Sequence, residues 1–265
     1  MYSAFQLAKK YLRYYISAKN SKGHGVHSPF VFDFIIHVLN DHKKYECYDI
    51  AELLRKQLLA NNTIIEVEDF GAGSAVIPFK NRKVKDIASS SLKKKKYARL
   101  LFRIAKYYQS KTIVELGTSL GITTCYLAFA YINSRVFTFE GSHSIAQIAL
   151  NNFKQAHLQN IDLIEGNFEK TLSGFNNKTD KVELVFIDGN HRKEATLKYF
   201  DFFLKKSSTQ TIFIFDDIHW SREMEEAWKL IQQNSSVTLT IDLFFMGLVF
   251  LNPDFKFKQH FTIRF

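Results

Sequence analysis

Polar and acidic residues follow a series of short apolar segments in the second half of the chain. The segments ending at 139, 164, 187 and 215 are rich in Val, Ile, Phe and Leu, which is typical of buried strands. Within three residues each is followed by side chains that hydrogen-bond or ligate: Glu140, Asn167, Asp188 and the pair Asp216-Asp217. Parallel strands present their carboxyl ends at one edge of a sheet, so we expect these residues to surround a ligand site there.

A glycine turn precedes these segments. Residues 113–124, IVELGTSLGITT, are typical of an apolar strand, a tight turn and the start of a helix. Gly117 and Gly121 allow positive φ angles and a close approach of the backbone to a ligand. Thr118 or Ser119 is expected to cap the helix. Two glycines of the G-x-G-x-x-G dinucleotide pattern are missing, one of them replaced by Ser119. Free N–H groups in such a turn suit the binding of a nucleotide or nucleoside. The alternative is an ordinary glycine turn of an α/β protein that binds no ligand.

The elements that position these residues follow from the hydrophobic pattern. From the turn onwards, strands alternate with helices, which predicts right-handed crossovers and a parallel sheet. The last apolar stretches, 237–243, 245–251 and 257–265, have no helices between them and are expected to pair antiparallel at one edge. We therefore expect an α/β core over 109–265.

The first 108 residues are predicted to form a helical cap region. Apolar periodicity indicates helices over 3–19, 30–40, 48–60 and 92–108. His24 and His27 lie in a loop and are interpreted as structural. A second glycine segment, 64–74, is followed by a proline and a basic stretch instead of an apolar helix. It is interpreted as a structured loop and kept as an alternative cofactor loop.

Composition sets bounds on the class of protein. The chain has 265 residues, 46% of them hydrophobic, and a net charge of +10. No apolar run approaches the roughly 20 residues of a membrane span. Two cysteines, Cys47 and Cys125, indicate no disulfide framework, which favours a cytoplasmic location. The basic charge suits a nucleic acid, an anionic substrate or an acidic membrane, but we interpret it as a solvated surface.

The strand, turn and strand-end acids together resemble class I S-adenosylmethionine-dependent methyltransferases, in particular small-molecule O-methyltransferases. Glu115, Gly117 and Gly121 match the first motif of that family, with Ser119 in place of the middle glycine. The resemblance implies a Rossmann-like, mostly parallel sheet with an antiparallel C-terminal edge. It also implies that S-adenosylmethionine contacts Glu115, Gly117, Thr118, Ser119, Gly121, Glu140, Gly141, Asn167, Phe168 and Asp188.

The spacing of Glu140, at the end of the second strand, independently indicates a ribose-binding acid. Glu140 lies 23 residues after Gly117, close to the spacing of roughly 20 expected of an acid that accepts ribose hydroxyls. In the family, an acid at this position binds the ribose. The alternative is a solvated acid at the end of a strand.

The acids of the fourth and fifth strand ends suggest where the reaction takes place. In the metal-dependent members that this sequence resembles, the positions of Asp188, Asp216 and Asp217 bind Mg²⁺, and carboxylate oxygens are suitable ligands. The alternative is that Asp188 contacts the cofactor and one of the pair caps a helix. His191 is the candidate general base, with Asp188 beside it, because its ordinary pKa near 6.5 suits proton removal at neutral pH. His219 and Trp220 are expected to shape the substrate pocket.

The predicted function is therefore methyl transfer from S-adenosylmethionine to a small-molecule hydroxyl. The sequence does not decide whether the reaction requires Mg²⁺. The alternatives are a nucleic-acid methyltransferase and an NAD-linked oxidoreductase. The expected partner is a small-molecule acceptor, with no membrane and no nucleic acid, and a homodimer is left open. The sequence does not indicate which acceptor is used.

Overall fold

A computed structural model describes residues 1–68, 81–176 and 178–265. Its helices are α1 (Ala4–Ser17), α2 (Pro29–Phe34), α3 (Glu46–Ala60), α4 (Val84–Ser91), α5 (Lys95–Tyr107), α6 (Ile122–Ala130), α7 (His143–Gln155), α8 (Phe168–Phe175), α9 (Lys193–Leu204) and α10 (Arg222–Gln233), with a π-helical turn at Ile35–Leu39. Its strands are β1 (Ile64–Glu66), β2 (Asn81–Lys83), β3 (Thr112–Leu116), β4 (Arg135–Glu140), β5 (Ile161–Glu165), β6 (Val182–Ile187), β7 (Ser207–Asp216), β8 (Leu239–Asp242), β9 (Met246–Phe250) and β10 (Gln259–Thr262). Within the described residues, no helix is both long enough and apolar enough to cross a membrane.

The chain divides into two compact units, and the second of them holds the glycine turn. This unit, His42–Asp180, contains strands in the order β3-β4-β5, with both neighbouring pairs parallel. Three rings, Phe137, Phe139 and Phe175, pack edge to face in its core. Edge-to-face contacts add to the free energy gained by burying such large apolar rings.

The first unit, Met1–Asp41 with Lys181–Phe265, holds the last strands in the order β10-β8-β9-β7-β6. β6 and β7 are parallel, whereas β9 runs antiparallel to both β7 and β8. Fully buried rings of Phe200, Phe213 and Phe215 pack on one another beside these strands. Most strand pairs in the two units are parallel and an antiparallel pair lies towards the C-terminus, which confirms the predicted fold class.

The prediction for the last strand is wrong, because β10 runs parallel to β8. The register gives the reason. β9 ends with Phe250 beside Leu239, the residue at which β8 begins. The short loop 251–258 therefore reaches the start of β8, where Gln259 pairs with Leu239. A strand that starts beside the start of its neighbour runs in the same direction.

All four helices predicted in the N-terminal region are present, but some short elements of the chain were missed. The predicted helix 30–40 is an α-helix that continues as a π-helical turn. The strands β1 and β2 form an antiparallel pair that the sequence did not indicate, and α4 and α8 were also missed. Part of the alternative cofactor loop, residues 69–74, lies outside the described residues. Because 1–41 and 42–108 fall in different units, the division at residue 108 stays a prediction.

Candidate functional site

The turn between β3 and α6, residues 117–121, has an unusual backbone. Gly117, Ser119 and Gly121 have φ angles of 104°, 48° and 80°. The N–H groups of Gly117 and Thr118 both donate to the carbonyl of Phe139, at 3.1 and 3.0 Å. The N–H of Gly121 donates to the carbonyl of Thr118 at 2.9 Å. The prediction of free N–H groups is therefore wrong for these three residues, because the protein itself uses them.

The remaining feature of the turn is a fixed carboxylate. The N–H of Ser119 donates to Oε2 of Glu140 at 2.8 Å, and the N–H of Ser142 donates to Oε1 at 3.0 Å. The backbone thus holds the carboxylate of Glu140 in one orientation against the turn. A carboxylate accepts about four hydrogen bonds, so two N–H groups do not exhaust it as an acceptor.

The helix after the turn begins at Gly121, and the prediction that Thr118 or Ser119 caps it is wrong. Gly121 is the N-cap residue, in a left-handed conformation. The hydroxyl of Thr118 bonds that of Thr138 at 2.6 Å, and the hydroxyl of Ser119 bonds that of Ser91 at 2.8 Å. A Cβ at position 121 would lie 2.6 Å from the ring of Phe153, so the helix packs closely only with glycine there.

Below the turn lies a buried carboxyl, Glu115. Its Oε2 accepts hydrogen bonds from the hydroxyls of Thr124 and Thr138, at 2.5 and 2.7 Å, while Oε1 is buried without a partner. Burial raises the pKa of Glu115 to about 7, against the opposing effect of the two threonine bonds. The side chain thus lies in the core and supports the turn. Its predicted contact with the cofactor stays a prediction.

Glu115 makes stability depend on pH. Its pKa is raised from 4.5 to about 7 in the folded protein, so the folded state binds the proton more tightly than the unfolded chain. The free energy of unfolding should therefore fall by roughly 3 kcal/mol from this group as the pH rises through that range. In Glu115→Gln, whose side chain stays neutral, this part of the fall should vanish in urea unfolding measured at several pH values. Glu165→Gln, at an exposed position, is the control and should keep the wild-type dependence on pH. If the free energy of unfolding falls equally with pH in wild type and Glu115→Gln, the prediction is contradicted.

Asn167 and Phe168 lie at the start of α8. The side-chain oxygen of Asn167 accepts the N–H of Glu169 at 2.8 Å and so caps the helix. The ring of Phe168 packs edge-on against Phe139 at 6.4 Å between centroids. Gly141 follows β4 directly, ahead of α7. The predicted adenine and cofactor contacts of these three residues stay predictions.

A second constellation, in the other unit, is the acid–histidine cluster of Asp188, His191 and Asp216. Parallel pairing of Ile187 with Phe215 places Asp188, just after β6, beside Asp216, the last residue of β7. One ligand atom from each residue of the cluster lies within 4.8 Å of the others. Nε2 of His191 is 3.7 Å from Oδ1 of Asp188, and Asp216 is only 1% exposed.

Asp217 was predicted to complete a set of three carboxylates, and it does not belong to this group among the described residues. Its φ is 52°, and its N–H donates to the carbonyl of Phe245 at 2.6 Å. His191 was predicted only as a base. Its spacing of three residues from Asp188 was the signal that both side chains can reach one ion.

Next to the cluster is a small cavity that opens to the surface. It is lined by Leu7, Asp217, His219, Trp220, Phe244 and Phe245. The ring of Trp220 lies 5.6 Å from that of His191, measured between centroids. His219 and Trp220 therefore line a cavity, and their predicted role in shaping the substrate pocket stays a prediction.

His219 is held on both sides by carboxylates. Its Nδ1 is 3.0 Å from Glu225 and its Nε2 is 2.8 Å from Asp242. Burial by itself lowers the pKa of His219, but these hydrogen bonds outweigh it and raise the pKa above 6.5. One wall of the cavity therefore has an imidazole ring fixed between two acids, which favour its protonated form.

The sequence matches a known family of domains. Residues 114–218 match the model of a methyltransferase domain family. The range begins in β3 and includes the glycine turn, Glu140 and the acid–histidine cluster. No curated protein matches the sequence significantly.

Solved structures share the fold across most of the chain. The O-methyltransferase TomG of Streptomyces achromogenes, in complex with SAM, is 17% identical with a TM-score of 0.57, over 79% of this chain and 91% of its own. An O-methyltransferase from Bacillus cereus in complex with SAH is 20% identical, with a TM-score of 0.54 over 80% and 93%. The SAH-bound methyltransferase PaMTH1 of Podospora anserina is 14% identical, with a TM-score of 0.59 over 95% and 98%.

The domain match and the shared fold confirm the resemblance found in the sequence. Residues 114–218 match a methyltransferase domain, and the fold around them is shared with the O-methyltransferases compared above.

Proposed function

We propose that the protein transfers a methyl group from S-adenosylmethionine to a hydroxyl of a small molecule. The methyltransferase domain match supports the reaction class. The acid–histidine cluster supports an oxygen acceptor, because a hydroxyl must lose its proton to attack the methyl group and the cluster offers an imidazole and two carboxylates. Among the alternatives, only the net charge of +10 suits a nucleic acid, and the bonded N–H groups of the glycine turn disfavour the phosphates of NAD.

One observation carries the choice of cofactor. The N–H groups of Gly117, Thr118 and Gly121 are bonded within the protein, whereas the carboxylate of Glu140 is held against the turn as an acceptor. A phosphate needs donors, which such a turn does not provide from these residues. A ribose needs an acceptor for its hydroxyls, which Glu140 provides. This favours a nucleoside cofactor without a phosphate, and S-adenosylmethionine is one.

The cluster supplies the proton chemistry. In our proposal, His191 takes the proton of the acceptor hydroxyl, and the carboxylate of Asp188, 3.7 Å from its Nε2, stabilises the resulting imidazolium. The oxygen then attacks the methyl group in line with the departing sulfur. Positioning of the two reactants lowers the barrier most, since the sulfonium is already a reactive methyl donor.

The cluster also has the composition of a divalent-cation site. Two carboxylates and one imidazole from Asp188, Asp216 and His191 converge within 4.8 Å. An imidazole ligand suits Mn²⁺ or Zn²⁺ better than Mg²⁺, which prefers oxygen ligands. A cation held there would lower the pKa of an acceptor hydroxyl. We therefore propose Mn²⁺ as the better fit if His191 ligates, and Mg²⁺ only if it does not.

The cavity at Trp220 is the proposed acceptor pocket. Its walls include Trp220, Phe244 and Phe245, which favour a flat, apolar acceptor.

Binding and transfer assays test the proposal. Calorimetry should detect S-adenosylhomocysteine and neither NAD nor a mixed oligonucleotide at moderate salt. Labelled methyl from S-adenosylmethionine should pass to members of a panel of small aromatic and sugar hydroxyl compounds. Binding of NAD instead, or label in RNA, would replace this function with one of the alternatives.

Glu140→Ala is expected to weaken S-adenosylhomocysteine binding by about 1.5–3 kcal/mol, the range for hydrogen bonds to a charged group. The matched control is Glu165→Ala. Glu165 pairs with Glu140 in the strand register and ends the neighbouring strand, where it contacts His143 at the surface. Equal dissociation constants for wild type and Glu140→Ala, measured by calorimetry, would remove Glu140 from the ribose site.

A further inference from the structure

The first helix, α1, has an apolar face that is exposed among the residues that the structure describes. Phe5, Leu12 and Ile16 are 80%, 59% and 69% exposed. They are seven and four residues apart, which places them along one side of a helix. Three large apolar side chains in one row are a patch, and such patches on a protein surface indicate an interaction.

The opposite face of the same helix fixes its orientation. The ring of Tyr11 packs on Phe244 and Phe245, at 5.1 and 5.9 Å between centroids. The hydroxyl of Tyr14, which is buried, donates to the carbonyl of Ile263, and Lys10 forms a salt bridge with Glu225 at 2.9 Å. Because this face is anchored in the first unit, α1 cannot turn its exposed row inwards without breaking these contacts.

The charge of this segment is one-sided. Residues 1–32 contain five Lys and Arg residues and no Asp or Glu. Lys9 and Arg13 lie on exposed positions of α1, and helix geometry puts them about 40° and 80° around the axis from Phe5. Lys19 and Lys22 follow the helix directly. The exposed apolar row is therefore bordered by positive charge.

We propose that α1 docks on an anionic membrane surface. Phe5, Leu12 and Ile16 enter the boundary between headgroups and acyl chains, and Lys9 and Arg13 contact lipid phosphates. This is the arrangement of an interfacial amphipathic helix, which lies on a membrane without crossing it. It replaces the expectation from sequence that no membrane is involved, and it agrees with the net charge of +10.

A second copy of this chain is the competing occupant, and the charges disfavour it. A two-fold contact through the apolar row would bring Lys9 and Arg13 of both copies together. No acidic residue within the first 32 of either chain would offset their repulsion. An anionic lipid surface offers the opposite charge along the whole row.

The experiment is flotation of the full chain with two kinds of vesicle, phosphatidylcholine alone and phosphatidylcholine with phosphatidylglycerol. The protein should bind the anionic vesicles, and less so at raised salt. The triple variant Phe5→Gln/Leu12→Gln/Ile16→Gln should lower the partition coefficient at least about tenfold. Lys9→Gln/Arg13→Gln should lower it roughly tenfold on anionic vesicles only.

The matched control is Ile132→Gln/Phe257→Gln, which changes two apolar side chains that are 88% and 81% exposed but lie outside α1. Its binding should equal that of wild type, and thermal unfolding should show that all variants fold. Absence of binding to anionic vesicles overturns the proposal. The proposal is also overturned if the control variant loses as much vesicle binding as the triple variant. A dimer in light scattering that the triple variant dissociates, with no vesicle binding, assigns the row to a second copy. Vesicle binding is measured without cofactor, so it is independent of the proposed function.

Discussion

Gly117→Arg is expected to abolish binding of S-adenosylhomocysteine, with a loss beyond about a thousandfold. Gly117 has a φ of 104°, a conformation that residues with a Cβ rarely adopt. Arginine there would strain the turn that holds Ser119 and, through it, the carboxylate of Glu140. Its side chain would also occupy the space above the turn that the proposed nucleoside fills. Both effects act on the same ligand, which is why we expect the largest loss of affinity here.

Gly25→Arg is the matched control for this variant. Gly25 also has a positive φ, 75°, and a Cβ there would meet nothing within 4 Å. Gly25→Arg therefore introduces the same side chain, with a similar backbone strain, at a position outside the glycine turn 117–121. Calorimetry should therefore give wild-type affinity for Gly25→Arg and none for Gly117→Arg. Wild-type affinity in Gly117→Arg would move the cofactor elsewhere, and residues 69–74 would be the next segment to test.

His191→Ala is expected to lower kcat by about 10²–10⁴-fold, the usual contribution of a general base. The affinity for S-adenosylhomocysteine should stay unchanged, since the cofactor is assigned to the glycine turn. The control is His37→Ala, in which a histidine side chain that is 57% exposed is removed. Equal turnover in wild type and His191→Ala would exclude His191 from the reaction.

A chelator separates the two roles proposed for His191. If His191 holds a cation with Asp188 and Asp216, the chelator should stop turnover, and Mn²⁺ should restore it better than Mg²⁺. Asp216→Asn should then lose as much activity as His191→Ala. If His191 is a base without a cation, full turnover should persist in chelator, and the rate should fall as the pH drops through the pKa of the imidazole. Cofactor affinity should be insensitive to chelator in both cases, because the methyl donor carries no phosphate.

The strands and their ends were predictable because they depend on local pattern. Val182–Ile187 and Arg135–Glu140 are rich in Val, Ile and Phe, which is typical of buried strands, and a side chain capable of binding stands at or just after the end of each. The placement of Asp188 beside Asp216 follows from parallel pairing of those strands. The shorter elements β1, β2, α4 and α8 were missed, because three to eight residues carry too little periodicity.

The sequence alone predicted a methyltransferase-like α/β fold and the residues that end its strands, because composition and spacing are local properties of the chain. Only the tertiary structure decided which groups meet. The N–H groups of the glycine turn are bonded internally, Asp217 turns towards Phe245, and His191 joins the two acids in its place. Each outcome depends on a φ angle or a partner far away in sequence, which no local pattern contains. The direction of β10 and the uncovered face of α1 have the same origin, since both depend on what packs beside them.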